Sequence, residues 1–151
     1  MQNVRIRKMR KEDVDDICKI HAAITKTSVK ADFKRTVKEH AMQEEEASFA
    51  AELNGKVVGY MVSYILSGGF GISRSAWIAM LGVDPKYMGQ GIGASLAKEI
   101  ILYYKKKGIR DIYTSVRWDS ADLLSFFKNL GFDRSNFINL RKKTSDRKNP
   151  K

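Results

Sequence analysis

The chain has 151 residues, with 28 lysines and arginines against 17 aspartates and glutamates, which gives a formal net charge of +11 at pH 7. This length and a 43% share of hydrophobic residues predict one globular domain that buries its own core without disulfides or a metal. One cysteine and two histidines exclude a disulfide scaffold and zinc sites of the four-cysteine or two-cysteine, two-histidine kind.

The positive charge is concentrated at the two ends of the chain. Residues 1–11 and residues 141–151 each carry a net charge of +5, so the rest of the chain carries only +1. This distribution does not predict the continuous basic face of a nucleic-acid-binding protein. We expect at most weak contact between the ends and nucleic acid or another acidic partner. The longest uncharged run, residues 57–73, is interrupted by glycines and too short for a membrane helix, so we expect a cytoplasmic protein without membrane contact.

The first quarter of the chain predicts a strand and two helices. Apolar and basic residues alternate over residues 3–9, as in a half-exposed strand. An apolar stripe at helical spacing predicts an amphipathic helix over residues 12–27. A second helix is predicted over residues 32–46, with Asp32 as its N-cap.

A hairpin and a buried strand follow. Asn54-Gly55 is the preferred two-residue turn between two β-rich runs, which predicts an antiparallel hairpin over residues 49–66. Residues 67–75 are predicted to form a loop. The apolar run at residues 76–83 predicts another buried strand, which Pro85 ends.

The second half of the chain predicts alternating helices and strands. A helix is expected after the glycine-rich segment and ends at Gly108. Residues 111–118 predict a strand, and residues 120–130 predict a helix capped by Asp119 or Ser120. At least one further strand is expected within residues 132–142.

This element order predicts an α/β (mixed α+β) fold with a mixed, mostly antiparallel sheet and helices on both faces. The strand–helix–strand unit at residues 76–118 predicts a right-handed crossover between two parallel neighbours. We expect one domain over residues 1–142 and a disordered basic tail over residues 143–151. Exposed edges at the first and last strands leave both a monomer and a homodimer open.

The segment Gly89-Gln90-Gly91-Ile92-Gly93-Ala94 is predicted to lie between a buried strand and the start of a helix. Glycines let bare backbone N–H groups approach a ligand, and the first amides of a helix lack intrahelical acceptors, so a phosphate group fits there. The spacing matches neither a P-loop nor the dinucleotide fingerprint G-x-G-x-x-G. A helix start with glycines that serve packing alone is the other interpretation.

Two motifs resemble the GNAT superfamily, the acyl-CoA-dependent amine N-acetyltransferases. VDPKYMGQGIGASL, residues 83–96, is similar to the family's motif A, a strand ending in V-x-P followed by Q/R-x-x-G-x-G/A. DSADLLSFFKNLGF, residues 119–132, is similar to its N-x-x-A-x-x-x-Y-x-x-x-G-F helix. The resemblance extends to the element order over residues 3–142, and it implies that the parallel strands 76–83 and 111–118 splay apart around the cofactor.

The resemblance implies acetyl-CoA as acyl donor, no metal, and an amine acceptor that attacks the thioester directly. A protein N-terminus, a lysine or a small amine would serve as acceptor. A strand amide near Leu81 or Gly82 is expected to stabilise the oxyanion. The residues implied in binding the cofactor are Leu81, Gly82, Val83, Met88, Gly89, Gln90, Gly91, Ile92, Gly93, Ala94, Ser95, Ser120, Phe127 and Lys128.

Three residues depart from the family pattern: Met88 replaces Gln or Arg, Ser120 replaces Asn, and Phe127 replaces the Tyr that serves as general acid. Phenylalanine has no proton to give, although a thiol with a pKa of about 8.5 leaves as thiolate near neutral pH with little help. This predicts a slow enzyme or a substitute donor such as Ser125 or water. The alternative is a CoA-binding regulatory module with weak or no catalysis.

No catalytic base is assigned from the sequence. The candidates are His21, His40, Glu52, Asp84, Tyr60 and Tyr64. Aromatic residues near the predicted loop 67–75 either wall a substrate groove or belong to the core; they are Tyr60, Tyr64, Phe70 and Trp77. Cys18 is interpreted as an apolar side chain rather than an acyl carrier.

Overall fold

A computed structural model describes residues 3–43, 45–68 and 74–145. Its strands are β1 (Arg5–Lys8), β2 (Phe49–Leu53), β3 (Lys56–Ser67), β4 (Arg74–Val83) and β5 (Ile112–Thr114). Its α-helices are α1 (Val14–Thr25), α2 (Ala31–Ala41), α3 (Ile92–Lys106) and α4 (Ala121–Asn129), with short 3-10 helices at Lys11–Asp13 and Pro85–Tyr87. The chain order predicted from the sequence is confirmed up to α4.

The five strands form one sheet in the order β1-β2-β3-β4-β5. The first four strands pair antiparallel, and β5 pairs parallel to β4 after the α3 crossover. The predicted mixed, mostly antiparallel sheet is therefore confirmed. The Asn54-Gly55 turn is confirmed as well, because both residues have positive φ, +53° and +79°, as a type I′ turn requires.

The helices cover both faces of the sheet. Ile17 of α1 and Val37 of α2 are fully buried in one apolar cluster together with Tyr60 of β3. Leu96 of α3 and Phe127 of α4 belong to a second cluster on the opposite face. Since successive side chains of a strand point to opposite faces, β3 contributes to both clusters.

A buried hydrogen-bond cluster fixes α3 to the sheet. The Tyr104 hydroxyl accepts the Ala47 N–H at 2.9 Å and lies 2.6 Å from Ser63 Oγ. Ser63 Oγ also donates to the Ala47 carbonyl. Burial raises the pKa of Tyr104, so its phenol stays protonated. The last turn of α3 is therefore held to β3 and to the segment before β2.

An ion-pair cluster connects β1 to its neighbours. Arg7 Nη1 donates to Asp13 Oδ2 at 2.8 Å, and Arg7 Nε donates to Glu52 Oε1 at 2.7 Å. The Arg10 N–H also donates to Asp13 Oδ2, at 2.7 Å. Burial by itself raises the pKa of Asp13, but the bonds from Arg7 and Arg10 outweigh it, and the pKa is lowered.

The strand predicted within residues 132–142 is wrong, since the described chain up to residue 145 has no strand after α4. The physical reason is that β5 ends at Thr114, which leaves too short an edge for a further ladder. The segment contacts β5 through side chains instead: Asn139 Nδ2 donates to Ser115 Oγ at 2.9 Å. Ile138 and Leu140 remain 80% and 87% exposed.

One predicted cap is also wrong, and another residue occupies its predicted N-cap position without forming a side-chain capping bond. Helix α2 has Lys30 at its N-cap position, and Asp32 lies in the first turn, where its carboxylate accepts from Arg35 at 2.6 Å. Ser120 occupies the N-cap position of α4 but makes no side-chain capping bond, and Asp119 binds Arg117. Carboxylates are favourable anywhere in a first helical turn, so the pattern does not fix the capping residue. Residues 69–73 and 146–151 of the predicted loop and tail lie outside the described residues.

Candidate active site

Strands β4 and β5 separate and leave a gap between them. They pair only from Ala76–Ile112 to Ile78–Thr114, where Thr114 Oγ1 donates to the Ile78 carbonyl at 3.0 Å. Beyond this point β4 continues to Val83, whereas β5 has ended. A bulge in the β3–β4 pairing occurs close to the same level, and bulges increase local twist. One edge of β4 is therefore left open over its last five residues.

The pairing register determines which backbone groups of β4 face the gap. The Asp84 N–H donates to a carbonyl of β3 at 2.8 Å. Hydrogen-bonded and non-hydrogen-bonded pairs alternate in an antiparallel ladder, so Gly82 also bonds to its β3 partner, Tyr60. The N–H and C=O groups of Leu81 and Val83 point the other way, into the gap. Of the two amides considered for the oxyanion, the Leu81 amide is the one that faces the gap.

A cavity of about 820 Å³ fills this gap. Its walls are the outer half of β4, the segment around residues 87–94, the end of β5 and the first two turns of α4. His21 and Ile24 of α1, Phe33 of α2 and Tyr60 of β3 close it on the α1–α2 side. A cavity of this size accommodates a cofactor-sized molecule.

The start of α3 forms one end of the cavity. Gly89 and Gly91 have φ values of +80° and +81°, a left-handed conformation that favours glycine. Gly91 is the N-cap, and no side chain in the described part of the chain caps this helix. The amides of residues 92–94 therefore lack intrahelical acceptors at the positive end of the helix dipole. A phosphate or diphosphate fits this backbone without a basic side chain.

Gly93 has a different reason to be glycine. A Cβ atom added there would lie 3.2 Å from Cε1 of Phe126, so the missing side chain lets α4 approach the first turn of α3. No atom of the described residues lies within 4 Å of a Cβ added at Gly89 or Gly91. The packing interpretation therefore applies to Gly93, while the other two glycines shape the backbone.

The cavity brings together most of the cofactor-binding residues expected from the sequence. Those that line it are Leu81, Gly82, Val83, Met88, Gly89, Gly91, Ile92, Gly93, Ala94 and Phe127. Gln90, Ser95, Ser120 and Lys128 do not line it. The Ser95 N–H bonds to Gly91 within α3, and Lys128 lies on the surface 3.8 Å from Asp133.

Phe127 is a core side chain that also forms part of the cavity wall. It is 4% exposed and meets the rings of Phe126 and Phe132 edge-on, at centroid distances of 5.0 and 5.1 Å. The motif position that holds Tyr in the family is thus occupied here by a core residue that cannot donate a proton.

Of the candidate bases, only His21 and Tyr60 line the cavity. The remaining candidates lie elsewhere: Glu52 binds Arg7, Asp84 accepts the Lys86 N–H, His40 bonds to Glu46, and Tyr64 lies against the His40 ring. Burial raises the pKa of Tyr60 to about 12, so it is protonated at neutral pH and cannot serve as a base. His21 is therefore the remaining candidate base. Its ring stacks on that of Phe33, with the two ring centroids 3.8 Å apart.

Sequence reasoning missed several cavity residues. Ile24, Phe33 and Phe126 give no local signal, because apolar residues at helical spacing are typical of any core. Asp122 lines the cavity as well. Acidic residues are common in the first turn of helices, so its position in the sequence does not indicate a binding site. Of the proposed aromatic groove, Trp77 stacks on Tyr113 at 4.7 Å, away from the cavity, and Phe70 lies outside the described residues.

Within residues 3–43, 45–68 and 74–145, no three histidine, cysteine, aspartate or glutamate side chains are close enough together to hold a metal ion. None of the helices described here combines the length and apolar character needed to cross a bilayer.

Residues 14–132 match the model of the Acetyltransferase (GNAT) family. The chain is 33% identical over 115 residues to a mycothiol acetyltransferase of Amycolatopsis mediterranei, covering 74% of this chain and 36% of that protein. It is 29% identical over 135 residues to an N-alpha-acetyltransferase of Sulfurisphaera tokodaii, covering 85% and 79% of the two chains. The chain spans less than two thirds of the length of the first curated relatives that it matches.

The fold also matches solved structures. One is an aminoglycoside N-acetyltransferase in complex with CoA, with a TM-score of 0.79 at 17% identity, covering 96% of this chain and 97% of that one. At this level of identity the match shows a shared fold.

Proposed function

Since this chain belongs to the acetyltransferase (GNAT) family, we propose that it transfers the acetyl group of acetyl-CoA to a primary amine by direct attack of the amine on the thioester. The acceptor is a protein N-terminus, a lysine or a small amine. The observation that carries the proposal is one continuous cavity that joins the uncapped start of α3 to the open edge of β4.

The two ends of this cavity suit the two parts of the donor. The diphosphate lies on the amides of residues 92–94, where the helix dipole favours negative charge. The amide-containing arm lies along β4, where the backbone groups of Leu81 and Val83 are not used by β3. In the proposed complex the thioester lies beside Leu81, whose N–H is available to the thioester carbonyl oxygen.

The reaction needs no enzyme nucleophile. The nitrogen lone pair forms the new C–N bond, the C–S bond breaks, and the electron pair leaves with the CoA sulfur. Burial raises the pKa of the Cys18 thiol, which disfavours its reactive thiolate form and agrees with its interpretation as a packing residue. The acceptor enters from the α1–α2 side, where His21 can take the proton of the attacking amine directly or through water.

Among the acceptors, a protein N-terminus is supported by relatives that are named N-alpha-acetyltransferases. The N-alpha-acetyltransferase of Sulfurisphaera tokodaii aligns over 85% of this chain. The cavity itself offers few charges to bind a polycation, since Asp122 is the one carboxylate among the described residues that line it.

Binding is tested first by thermal denaturation with acetyl-CoA. A ligand at 100 times its Kd adds about 2.7 kcal/mol to the free energy of unfolding. Free thiol release is then followed with peptide N-termini, lysine peptides and small amines. Stabilisation together with thiol release that depends on one amine class supports the proposal, and absence of binding at saturating acetyl-CoA contradicts it.

A CoA-binding regulatory module is the second candidate function. The buried Phe127 favours it, because the motif position of the general acid is occupied by a core residue. Stabilisation by acetyl-CoA without thiol release over the whole amine panel would identify this alternative.

A further inference from the structure

The ring of Tyr60 reaches across β4 toward the cavity. Tyr60 is paired with Gly82 on the neighbouring strand. A Cβ added to Gly82 would lie 2.8 Å from Cε1 and 3.0 Å from Cζ of Tyr60. These atoms are at the far end of the ring, so the ring extends from β3 over Gly82 and its hydroxyl is directed to the open edge of β4.

The hydroxyl of this buried side chain has no partner among the described residues. Tyr60 is 1% exposed, yet its oxygen forms no hydrogen bond with another described residue, whereas the phenol of Tyr104 has two partners. Every fully enclosed polar side-chain atom in the described part of the chain has a partner. The Tyr60 oxygen is therefore not enclosed by protein, and it opens onto the cavity that the residue lines. Buried polar groups are normally satisfied, so this hydroxyl is a donor available to a ligand.

We propose that the Tyr60 hydroxyl is the second hydrogen-bond donor to the thioester carbonyl oxygen, opposite the Leu81 N–H, so that the two donors form the oxyanion site. The inference rests on the proposed function, because it requires the thioester beside Leu81. It gives Tyr60 a role that neither sequence motif contains.

In this step Tyr60 donates a hydrogen bond and keeps its proton. The amine forms the C–N bond while the carbonyl oxygen takes up negative charge between the two donors. When the C–S bond breaks, the electron pair leaves with the sulfur, and the proton of the new ammonium group passes to His21 or to solvent water. A phenol with a pKa of about 12 remains a donor throughout. The neighbour Cys18, on α1, disfavours the phenolate further.

The test is Tyr60→Phe, which removes only the hydroxyl. We expect kcat to fall on the order of 100-fold, as when one oxyanion donor is removed. The free protein should not lose stability, because the hydroxyl has no partner among the described residues. The matched control is Tyr64→Phe, on the same strand but outside the cavity lining, which should leave kcat unchanged.

A spectroscopic measurement reports the bond without turnover. With acetyl-CoA labelled with 13C at the carbonyl, binding to the wild-type protein should shift the C=O stretch to lower frequency. Tyr60→Phe should reverse part of this shift, and Tyr64→Phe none of it. An unchanged stretch and unchanged kcat in Tyr60→Phe, with acetyl-CoA still bound, overturn this inference alone. If acetyl-CoA fails to bind the wild-type protein, the proposed function itself fails.

Discussion

Gly82 connects the open edge of β4 to the core beneath α1. A Cβ at this position would meet Tyr60 at 2.8 Å and Cδ1 of Ile24 at 3.0 Å. We expect Gly82→Ala to lower the free energy of unfolding by about 1–3 kcal/mol, since overpacking displaces well-packed rings. Urea denaturation measures this change.

Truncation of one crowding neighbour is the control for that variant. The cost of Gly82→Ala should be smaller in an Ile24→Ala background, because the shortened side chain gives the new methyl group room. A wild-type denaturation midpoint for Gly82→Ala would contradict the crowding that the structure shows.

His21 is the proposed proton acceptor, and its contribution can be separated from binding. His21→Gln should reduce kcat on the order of 100-fold, the lower range for loss of a general base, while the Kd for acetyl-CoA stays the same. His40→Gln is the matched control, because His40 bonds to Glu46 outside the cavity lining. Equal effects of the two substitutions would exclude His21 as the base.

At the scale of elements, the Arg7–Asp13 pair joins β1 to the turn that precedes α1. The pKa of Asp13 in the folded protein is lowered from its ordinary value of 3.8, so the folded state favours the ionised form. The contribution of this ion pair to the free energy of unfolding is fully present above pH 3.8. It is lost as the pH falls below 3.8 and through the lower pKa of the folded protein.

Asp13→Asn should therefore lower the free energy of unfolding at pH 7 by about 3 kcal/mol. The reason is that Arg7 loses its charged partner, and the Asp13 side chain that forms this ion pair is nearly buried. The difference from the wild-type protein should shrink between pH 5 and pH 2. Urea denaturation across this range measures it, and a difference that does not change with pH would refute the assignment.

Elements that adjacent residues specify, such as the β2–β3 hairpin, were predicted correctly. The strand expected after α4 was not, because it depends on the edge of the sheet at β5. Asn54-Gly55 needs two positive φ values wherever it occurs, so the β2–β3 hairpin followed from the sequence. A further strand was also expected within residues 132–142, but a strand requires a partner. The sequence does not show that β5 stops at Thr114, because that end depends on how far β4 and β5 diverge.

At the scale of the whole molecule, the net charge of +11 should assist the capture of a polyanionic donor. The Kd for acetyl-CoA should therefore rise with NaCl concentration, since salt screens long-range attraction. Isothermal titration at 50–500 mM NaCl measures it. S-acetylpantetheine, which lacks the phosphates, is the matched control ligand and should bind with little dependence on salt. Equal salt dependence of the two ligands would show that charge does not steer binding.

As with the fold, some parts of the candidate site could be predicted from the sequence and others could not. The segment 89–94 could be proposed from the sequence because adjacent residues in one loop form the whole of the proposed anion site. His21, Phe33 and Tyr60 meet only after α1 and α2 pack on β3, so no spacing in the sequence connects them. For Tyr60, the signal is a hydroxyl without a hydrogen-bond partner among the described residues, which only the three-dimensional structure reveals.

The buried hydrogen bonds of Tyr104 also affect how the protein unfolds. The last turn of α3 cannot leave the sheet unless the Ala47 amide loses its acceptor, so these parts should unfold as one cooperative unit. In native-state deuterium exchange, the Ala47 amide should exchange only through global unfolding. The proposed phosphate-binding end of the same helix should thus be preformed before a ligand arrives, so binding of the ligand requires little ordering of the backbone.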